Sequence, residues 1–229
     1  HFGLYAGEAA AFVALLTVLF VGLKPAYPSA IGSCGDLLHA EDKYGVRLKL
    51  DRGGSVPAVE LLDPLCPACK GMSQRLAAGG FDRRLALEAA LFPLDKDCNW
   101  MVRESVHPGA CGASEAVLCA GPRTGAVLDW VFRHQDELHE IGRSDPARVG
   151  PRIAQQFPEL KGCIGRPEVK ARLNKSLRWA VSNSLPVLTP QLFVRGRKIC
   201  DEDTDLGLDY VLKRVLDAGD GTTARRTGR

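Results

Sequence analysis

Two cysteines separated by two residues are the part of this sequence best suited to chemistry. Cys66 and Cys69 stand in "ELLDPLCPACKGM", directly after an apolar run typical of a buried strand and at the start of a predicted helix. The first sulfur would then lie at the positive end of the helix dipole, where unpaired N–H groups stabilise a thiolate. The spacing therefore predicts a nucleophile of low pKa at Cys66 and a resolving thiol at Cys69, a pair that can close and reopen a disulfide.

Other uses of the pair have less support in the sequence. Zinc usually takes four ligands, often from two close pairs, and the chain has no second Cys-x-x-Cys. His134 and His139 are five residues apart, so they point to different faces of a helix. Zinc or copper binding, a structural disulfide and two unconnected thiols stay open as alternatives to redox chemistry.

Composition and charge limit the class of protein. The 229 residues are enough for one good-sized domain, or for a small domain with attachments. A net charge of +3, with no cluster of Lys and Arg in a predicted folded segment, argues against a nucleic-acid partner. The even number of cysteines is typical of an oxidising compartment. The eight are Cys34, Cys66, Cys69, Cys98, Cys111, Cys119, Cys163 and Cys200.

The N-terminal segment is apolar enough to predict a membrane span. Residues 9–23 are apolar without a break, and with residues 2–6 they approach the roughly 20 residues that a bilayer requires. We expect residues 1–24 to form a transmembrane helix, either an anchor or the last span of a larger membrane protein, because the chain begins at His1 rather than Met. A cleaved signal peptide and a buried helix are the alternatives, although no basic segment precedes the apolar run.

The remaining pattern predicts an α/β domain. A polar linker over 25–44 leads to strands over 46–50 and 56–62, a helix over 66–77 and a strand over 84–94. A block of helices follows, including one helix that contains Val127, Val131, Leu138 and Ile141 and one over 167–183. A β-hairpin with Gly196 in its turn and a final helix marked by Leu208 and Val215 complete the domain. Residues 218–229 have no apolar pattern and are expected to be disordered.

This order of elements, together with three motifs, resembles a known family. The segment "VELLDPLCPACK" is similar to the active-site segment of thioredoxin-fold proteins, and the helical block over about 110–185 resembles the insertion of the DsbA-like branch. The segment "VLTPQLFVRGRKI" resembles the cis-proline segment of that family and maps onto Thr189 and Pro190. Glu60 lies six residues before Cys66, where the family carries a buried acid. The resemblance covers residues 45–217 and implies a thioredoxin fold.

The family also implies roles for these residues. Cys66 would form a mixed disulfide with a partner and Cys69 would resolve it. A cis peptide bond at Pro190 would leave the backbone of Thr189 free to pair with an extended substrate, whereas a trans turn proline is the alternative. Glu60 would be buried with a raised pKa and exchange a proton with Cys69, unless it pairs with Lys70 or Arg75. No cofactor or metal is expected, because the dithiol itself is the redox group.

A narrower resemblance covers the segment after the second thioredoxin strand. "LFPLDKDCNWMVRESVHPGACGASEAVLCA" resembles the corresponding segment of bacterial proteins that join a vitamin K epoxide reductase-like membrane domain to a thioredoxin-like domain. Cys98 and Cys111 flank a loop here and are expected to form a second disulfide, either structural or a shuttle to an upstream partner. His107 is interpreted as a loop residue rather than a catalyst. Cys119 and Cys163 both lie in the helical block and are paired with each other, although spacing does not decide connectivity.

The resemblance implies a membrane-tethered thiol–disulfide oxidoreductase whose catalytic domain lies in the periplasm or outside the cell. Its expected partners are exported proteins that contain cysteine, or a quinone-linked membrane protein of the vitamin K epoxide reductase type. A non-catalytic thioredoxin-like binding module, such as a chaperone or a copper-maturation factor, is the alternative. Pro67 and Ala68 match neither the Gly-Pro of reducing thioredoxins nor the Pro-His of the strong oxidant, so oxidase, reductase and isomerase all stay open, with oxidation preferred because of the insertion.

Overall fold

The computed structural model describes residues 2–23, 34–201 and 207–224 of the chain. Within them, five strands form one sheet in the order β1-β3-β2-β4-β5. The strands are β1 (Leu48–Lys49), β2 (Val56–Leu62), β3 (Leu85–Leu91), β4 (Gln191–Val194) and β5 (Arg197–Lys198). The helices are α1 (Phe2–Gly22), α2 (Pro67–Ala78), α3 (Ala110–Cys119), α4 (Thr124–Arg133), α5 (Gln135–Ser144), α6 (Val149–Gln156), α7 (Pro167–Ser182) and α8 (Leu208–Ala224).

The centre of the sheet is the parallel pair of β2 and β3, which α2 connects. Glu60 of β2 lies opposite Ala89 of β3 and Leu192 of the antiparallel strand β4. Successive side chains of a strand point to opposite faces, so β2 contributes to two apolar layers. Ala58 and Leu62 pack in the layer that also contains the cysteines of the CPAC segment, residues 66–69. Glu60 has the same parity in the strand as Ala58 and Leu62, which places an acidic side chain on the face that carries the cysteines.

The opposite layer of the sheet packs against α7. Val59 and Leu61 of β2 lie in this layer together with Phe92, which directly follows β3. Leu177 and Trp179 of α7 belong to the same apolar cluster. All five side chains are almost completely buried, so α7 covers the face of the sheet that lies away from the cysteines.

The helical insertion comprises α3 to α7, between β3 and β4. The sequence pattern predicts one helix through Val127 and Ile141, but the structure has two, α4 and α5, which meet at His134. The His134 ring stacks on Trp130 with centroids 4.1 Å apart, and its Nδ1 lies 2.9 Å from the Trp130 carbonyl oxygen. The periodicity continues across the break because only one residue interrupts it, which is why the pattern alone does not reveal the break.

Both ends of the domain differ from the expectation. Residues 25–33 of the predicted linker lie outside the described residues, whereas 34–44 pack on the domain through a Cys34–Cys200 disulfide and the buried side chain of Leu37. The helix α8 continues to Ala224, into the segment expected to be disordered, because a helix that is already anchored extends with local hydrogen bonds. Residues 225–229 of that segment lie outside the described residues.

The predicted membrane span corresponds to α1, a helix of 21 residues. Among the described residues, no helix meets the length and apolarity needed to cross a membrane. The membrane span is therefore not confirmed and stays a prediction.

Candidate active site

The two CPAC cysteines lie at the N-terminus of α2, as their spacing predicts. Cys66 is the residue that precedes the first turn, and Pro67 occupies the first helical position, where a missing N–H is tolerated. Cys66 is 5% exposed, Cys69 is completely buried, and the side chains between them are exposed. Neither sulfur is in a disulfide, so the structure holds the pair as a dithiol.

The surroundings shift the pKa values of the two thiols in opposite directions. A hydrogen bond from Cys69 lowers the pKa of Cys66 to about 6, although burial opposes this shift. Burial raises the pKa of Cys69 well above its ordinary value, and its hydrogen bond with Cys66 adds to the increase. At neutral pH the pair therefore holds a thiolate at Cys66 and a protonated thiol at Cys69, which is the arrangement of a nucleophile and its resolving partner.

The segment before β4 faces Cys66. The Thr189–Pro190 peptide bond is cis, and the Cys66 thiol donates a hydrogen bond of 3.5 Å to the Thr189 carbonyl oxygen. Gln191 holds this segment in place, because its Nε2 donates to the carbonyl oxygens of Pro186 and Leu188 at 3.0 and 2.8 Å. Two residues 123 positions apart in sequence, Cys66 and Thr189, are thus brought into contact.

Glu60 is buried on the same face of the sheet. It is 2% exposed, and its Oε1 has no hydrogen-bond partner among the described residues. Burial raises its pKa to about 8, and the charge of Cys66 contributes to the increase. It does not pair with Lys70 or Arg75 in any hydrogen bond or ion pair that the structure describes. A cavity of about 20 Å³, lined in part by Glu60, Arg52 and Ser73, has room for about one water molecule beside it.

A second buried acid, Asp63, lies at the end of β2 and accepts from three different groups. Its Oδ1 accepts from the Leu65 backbone N–H at 2.8 Å, and its Oδ2 accepts from the Leu94 backbone N–H at 2.8 Å. His107 Nδ1 lies 2.8 Å from the same Oδ2. Burial lowers the pKa of His107, but the hydrogen bond and charge of Asp63 outweigh it and raise the pKa above its ordinary value. His107 is in a loop, as the sequence suggests, but it is buried beside the redox pair.

Helix α5 packs its polar residues against the segment that precedes the cysteines. Gln135 Nε2 donates to the carbonyl oxygens of Pro64 and Cys66, both at 3.1 Å. One turn later, the His139 ring meets the His107 ring edge to face, with centroids 5.7 Å apart. The insertion therefore contributes directly to the site.

The approach of α5 to this loop depends on a glycine. A Cβ on Gly142 would clash with the backbone carbonyl group of Pro108, the residue that follows His107. Only glycine therefore permits the helix to pack so closely against the loop.

A disulfide and a buried carboxylate hold the loop that carries His107. Cys98 is bonded to Cys111, across 13 residues of sequence. Asp95 accepts hydrogen bonds from the Ser105 hydroxyl at 2.7 Å and from the Gly109 backbone N–H at 2.9 Å. The loop is thus fixed at both ends and in its middle, which fixes the position of His107 relative to Asp63.

The remaining cysteines are bonded outside this site. The structure contains the Cys119–Cys163 disulfide that the sequence suggests, and it adds Cys34–Cys200, across 166 residues, a pairing that spacing did not predict. Among the described residues, no cluster of three or more His, Cys, Asp or Glu side chains is arranged to hold a metal ion.

Comparison with known proteins places this geometry in a known fold. No protein-family model matches the sequence, and no curated protein matches it. Oxidoreductase DsbA from Xylella fastidiosa is similar in structure, with a TM-score of 0.52 and 16% identity over 76% of this chain and 92% of that chain. Proteus mirabilis ScsC, in a transitional conformation, gives a TM-score of 0.52 and 16% identity over 93% of this chain and 99% of that chain.

A third solved structure leads to the same conclusion. A putative protein-disulfide isomerase from Pseudomonas syringae gives a TM-score of 0.52 and 19% identity over 74% of this chain and 97% of that chain. The chain has the DsbA-like thioredoxin fold. At these identities the likeness establishes the fold alone, and the fusion to a vitamin K epoxide reductase-like domain is not shown.

Sequence reasoning identified one side of this site and missed the other. Motifs named Cys66, Cys69, Thr189, Pro190 and Glu60, and the structure brings them to one end of α2 and the adjacent face of the sheet.

The side that was missed consists of Asp63, Gln135 and His139. Asp63 carries a signal, because it stands directly before Pro64 at the end of a strand. Its partners, however, lie in segments that no local pattern connects to it.

Proposed function

We propose that this protein is a thiol–disulfide oxidoreductase that exchanges disulfides with exported proteins through Cys66 and Cys69. The observation that carries the proposal is the opposite acidity of the two thiols, with the pKa of Cys66 lowered to about 6 and that of Cys69 raised. A structural or unconnected pair of cysteines does not require different pKa values at its two thiols. Thiol–disulfide exchange, in contrast, requires a thiolate that attacks and leaves readily.

The exchange moves two electrons to the protein, and of the two thiol protons that the substrate loses, one is balanced by the proton that Cys69 takes up and the other goes to solvent, since Cys66 leaves as a thiolate. In the oxidising direction, a substrate thiolate attacks Cys66 Sγ of the disulfide form, the Cys66–Cys69 bond breaks, and Cys69 leaves and takes up a proton. A second substrate thiolate then attacks the substrate sulfur of the mixed disulfide and releases Cys66 as a thiolate. The substrate loses two electrons and becomes a disulfide, and the protein becomes a dithiol. In this scheme Glu60 supplies or accepts the proton at Cys69.

The segment before Pro190 is proposed to hold the substrate. The backbone of Thr189 lies against Cys66, and an extended polypeptide paired with that backbone would bring a cysteine to the attacking sulfur. Val187 and Leu188, which precede Thr189, are 48% and 44% exposed and offer apolar contact to an unfolded segment. This arrangement favours extended or unfolded proteins as substrates over small thiols.

The disulfides and the first helix support an extracytoplasmic, membrane-tethered location. Among the described residues, three disulfides accompany the redox pair, which is typical of a protein in an oxidising compartment such as the periplasm. The described large apolar side chains of α1 are exposed, which suits contact with lipid. They are Phe12, Val13, Leu15, Leu16, Val18, Leu19, Phe20 and Val21. Retention in the membrane fraction, and release on deletion of residues 1–24, is the result expected from cell fractionation.

A quinone-linked membrane protein of the vitamin K epoxide reductase type is the proposed redox partner. The exchange leaves the protein as a dithiol in the oxidising direction, so a partner must remove two electrons before the next cycle. No organic cofactor is proposed for the chain itself, since the dithiol carries the electrons. Disulfide-linked complexes that Cys69→Ser still forms in the membrane fraction after deletion of residues 1–24 would support this partner, because the chain itself is then no longer tethered.

The test is a trapping experiment with the full chain. Cys69→Ser removes the resolving thiol, so mixed disulfides between Cys66 and its partners should accumulate and disappear on reduction. The matched control is the double variant Cys66→Ser and Cys69→Ser, which should trap nothing. If Cys69→Ser traps no partner and Cys66 is alkylated no faster than an ordinary thiol, the proposal is wrong and a non-catalytic binding module becomes the better interpretation.

The direction of exchange is measured separately. Equilibration of Cys66 and Cys69 with glutathione buffers gives the reduction potential of the pair. A value near about −120 mV matches a strong oxidant, and one near about −270 mV matches a reductant such as thioredoxin.

A further inference from the structure

We propose that His107 is a positioning residue whose protonated ring offsets the Asp63 carboxylate and so stabilises the thiolate form of Cys66, which makes the balance between dithiol and disulfide depend on pH. This inference rests on the proposed function, since it concerns the same redox pair. It assigns a role to a residue that the exchange steps do not use.

Asp63 is held close to Cys66 in the structure. Asp63 is completely buried, three residues before Cys66, and its backbone carbonyl oxygen accepts from the Cys66 N–H at 3.0 Å. The carboxylate is therefore fixed relative to the sulfur. The hydrogen bond from Cys69 lowers the pKa of Cys66, and a negative charge at Asp63 works against this by opposing the formation of a thiolate.

His107 is placed to compensate the charge of Asp63. His107 Nδ1 lies 2.8 Å from Asp63 Oδ2, and His107 is 8% exposed. A buried carboxylate attracts a proton to the imidazole, and a protonated ring makes the pair neutral overall. Pro67 and Ala68, between the cysteines, have no ionisable side chain, so they supply no positive charge of their own beside Cys66.

Other ionisable groups also face His107. Asp95 of the same loop and the Cys66 thiolate both favour the protonated ring. His139 of α5 opposes a second positive charge, and burial followed by the charge of His107 lowers the pKa of His139. Of the two neighbouring rings, His107 therefore carries the positive charge and His139 stays neutral.

The expected pH dependence follows from reciprocity. If the His107 cation stabilises the Cys66 thiolate, the thiolate must stabilise the cation by the same free energy. The contribution to the reduced form requires an ionised Cys66 and a protonated His107, so it grows as the pH rises through the pKa of Cys66, which is about 6. It is lost as the pH rises through the pKa of His107, which lies above the ordinary value.

The test compares His107→Asn with the wild-type full chain. Asparagine can still donate a hydrogen bond to Asp63 but carries no charge. The equilibrium constant for reduction by glutathione should fall about three- to fivefold at about pH 7, where most of the wild-type Cys66 is ionised, and should equal the wild-type value at about pH 9.5. His39→Asn, which changes an exposed histidine, is the matched control and should match the wild type at both pH values.

A second measurement needs no substitution. Titration of the His107 ring by NMR in the wild-type protein should give a higher pKa in the reduced than in the oxidised state. Equal values in the two states, or a difference between His107→Asn and wild type that does not change with pH, would overturn the inference and leave His107 a structural residue. A wild-type pair that does not equilibrate with glutathione would instead overturn the proposed function, and this inference with it.

Discussion

Two buried carboxyl groups three residues apart, Glu60 and Asp63, have different surroundings. Glu60 lies within β2, has an oxygen without a partner among the described residues, and has a pKa raised to about 8 by burial. Asp63 lies just after the strand and accepts two backbone hydrogen bonds besides its contact with His107. Burial alone does not decide how a carboxyl group behaves, because hydrogen bonds can replace the water that burial removes. The different surroundings agree with the two roles proposed above, proton exchange at Glu60 and a carboxylate held in place by hydrogen bonds at Asp63.

Loss of the Asp63 carboxylate should affect the protein most. Asp63→Ala leaves a buried N–H group at Leu65, a partly buried one at Leu94 and the His107 ring without their acceptor, so the free energy of unfolding should fall by about 3 to 5 kcal/mol. Urea denaturation measures it. Asp217→Ala, which removes an exposed ion pair with Arg84, should cost less than about 1 kcal/mol. A loss for Asp63→Ala as small as that of the control would contradict the assignment.

Removal of the Cys98–Cys111 disulfide tests whether the loop holds His107 against Asp63. The double variant Cys98→Ala and Cys111→Ala should lose about 3 kcal/mol of stability, because the unfolded chain regains freedom. It should also lower the equilibrium constant for reduction of Cys66 and Cys69 by glutathione at about pH 7.

The control for the loop is a disulfide in the helical insertion. The matched pair, Cys119→Ala and Cys163→Ala, should lose similar stability with no shift of the glutathione equilibrium. An equal shift in both double variants would show that the loop has no special relation to the site.

Glu60→Gln tests the other carboxyl group of the comparison. Removal of the proton carrier should slow the reaction of Cys69 about 10- to 100-fold at neutral pH, as measured by resolution of a mixed disulfide. Glu88→Gln, on the neighbouring strand, is the control and should leave the rate unchanged. An unchanged rate for Glu60→Gln would mean that the proton reaches Cys69 by another route.

The same variant should change the dependence of stability on pH. The pKa of Glu60 is about 8 in the folded protein, whereas its ordinary value is 4.5, so between these values the unfolded state binds fewer protons. Wild-type stability should therefore fall as the pH rises from about 4.5 to about 8, and Glu60→Gln should lack this part of the decrease. Urea denaturation at both ends of the range measures it, and parallel curves would contradict a buried neutral Glu60.

Gln135, which contacts the segment after Asp63, should have a more modest effect. Gln135→Ala removes two hydrogen bonds to the carbonyl oxygens of Pro64 and Cys66 and should cost about 1 to 2 kcal/mol of stability. Gln155→Ala, at an exposed position of α6, is the control. A cost equal to that of the control would mean that the insertion does not support the CPAC segment.

Local spacing and motifs are enough to predict the CPAC helix, the strand before it and the Thr189–Pro190 segment. Apolar periodicity also located the helical insertion, although it merged α4 and α5 across His134. Such patterns act over a few residues, so they are visible along the chain without any knowledge of the packing.

The packing of the elements, in contrast, establishes which side chains surround the two thiols. His107 is 44 residues from Asp63, and Gln135 is 69 residues from Cys66. The Cys34–Cys200 bond spans 166 residues. No short-range pattern encodes contacts of this kind, because many pairings of distant segments are compatible with the same local sequence. The charge around the thiols is therefore a property of the whole fold rather than of any one segment.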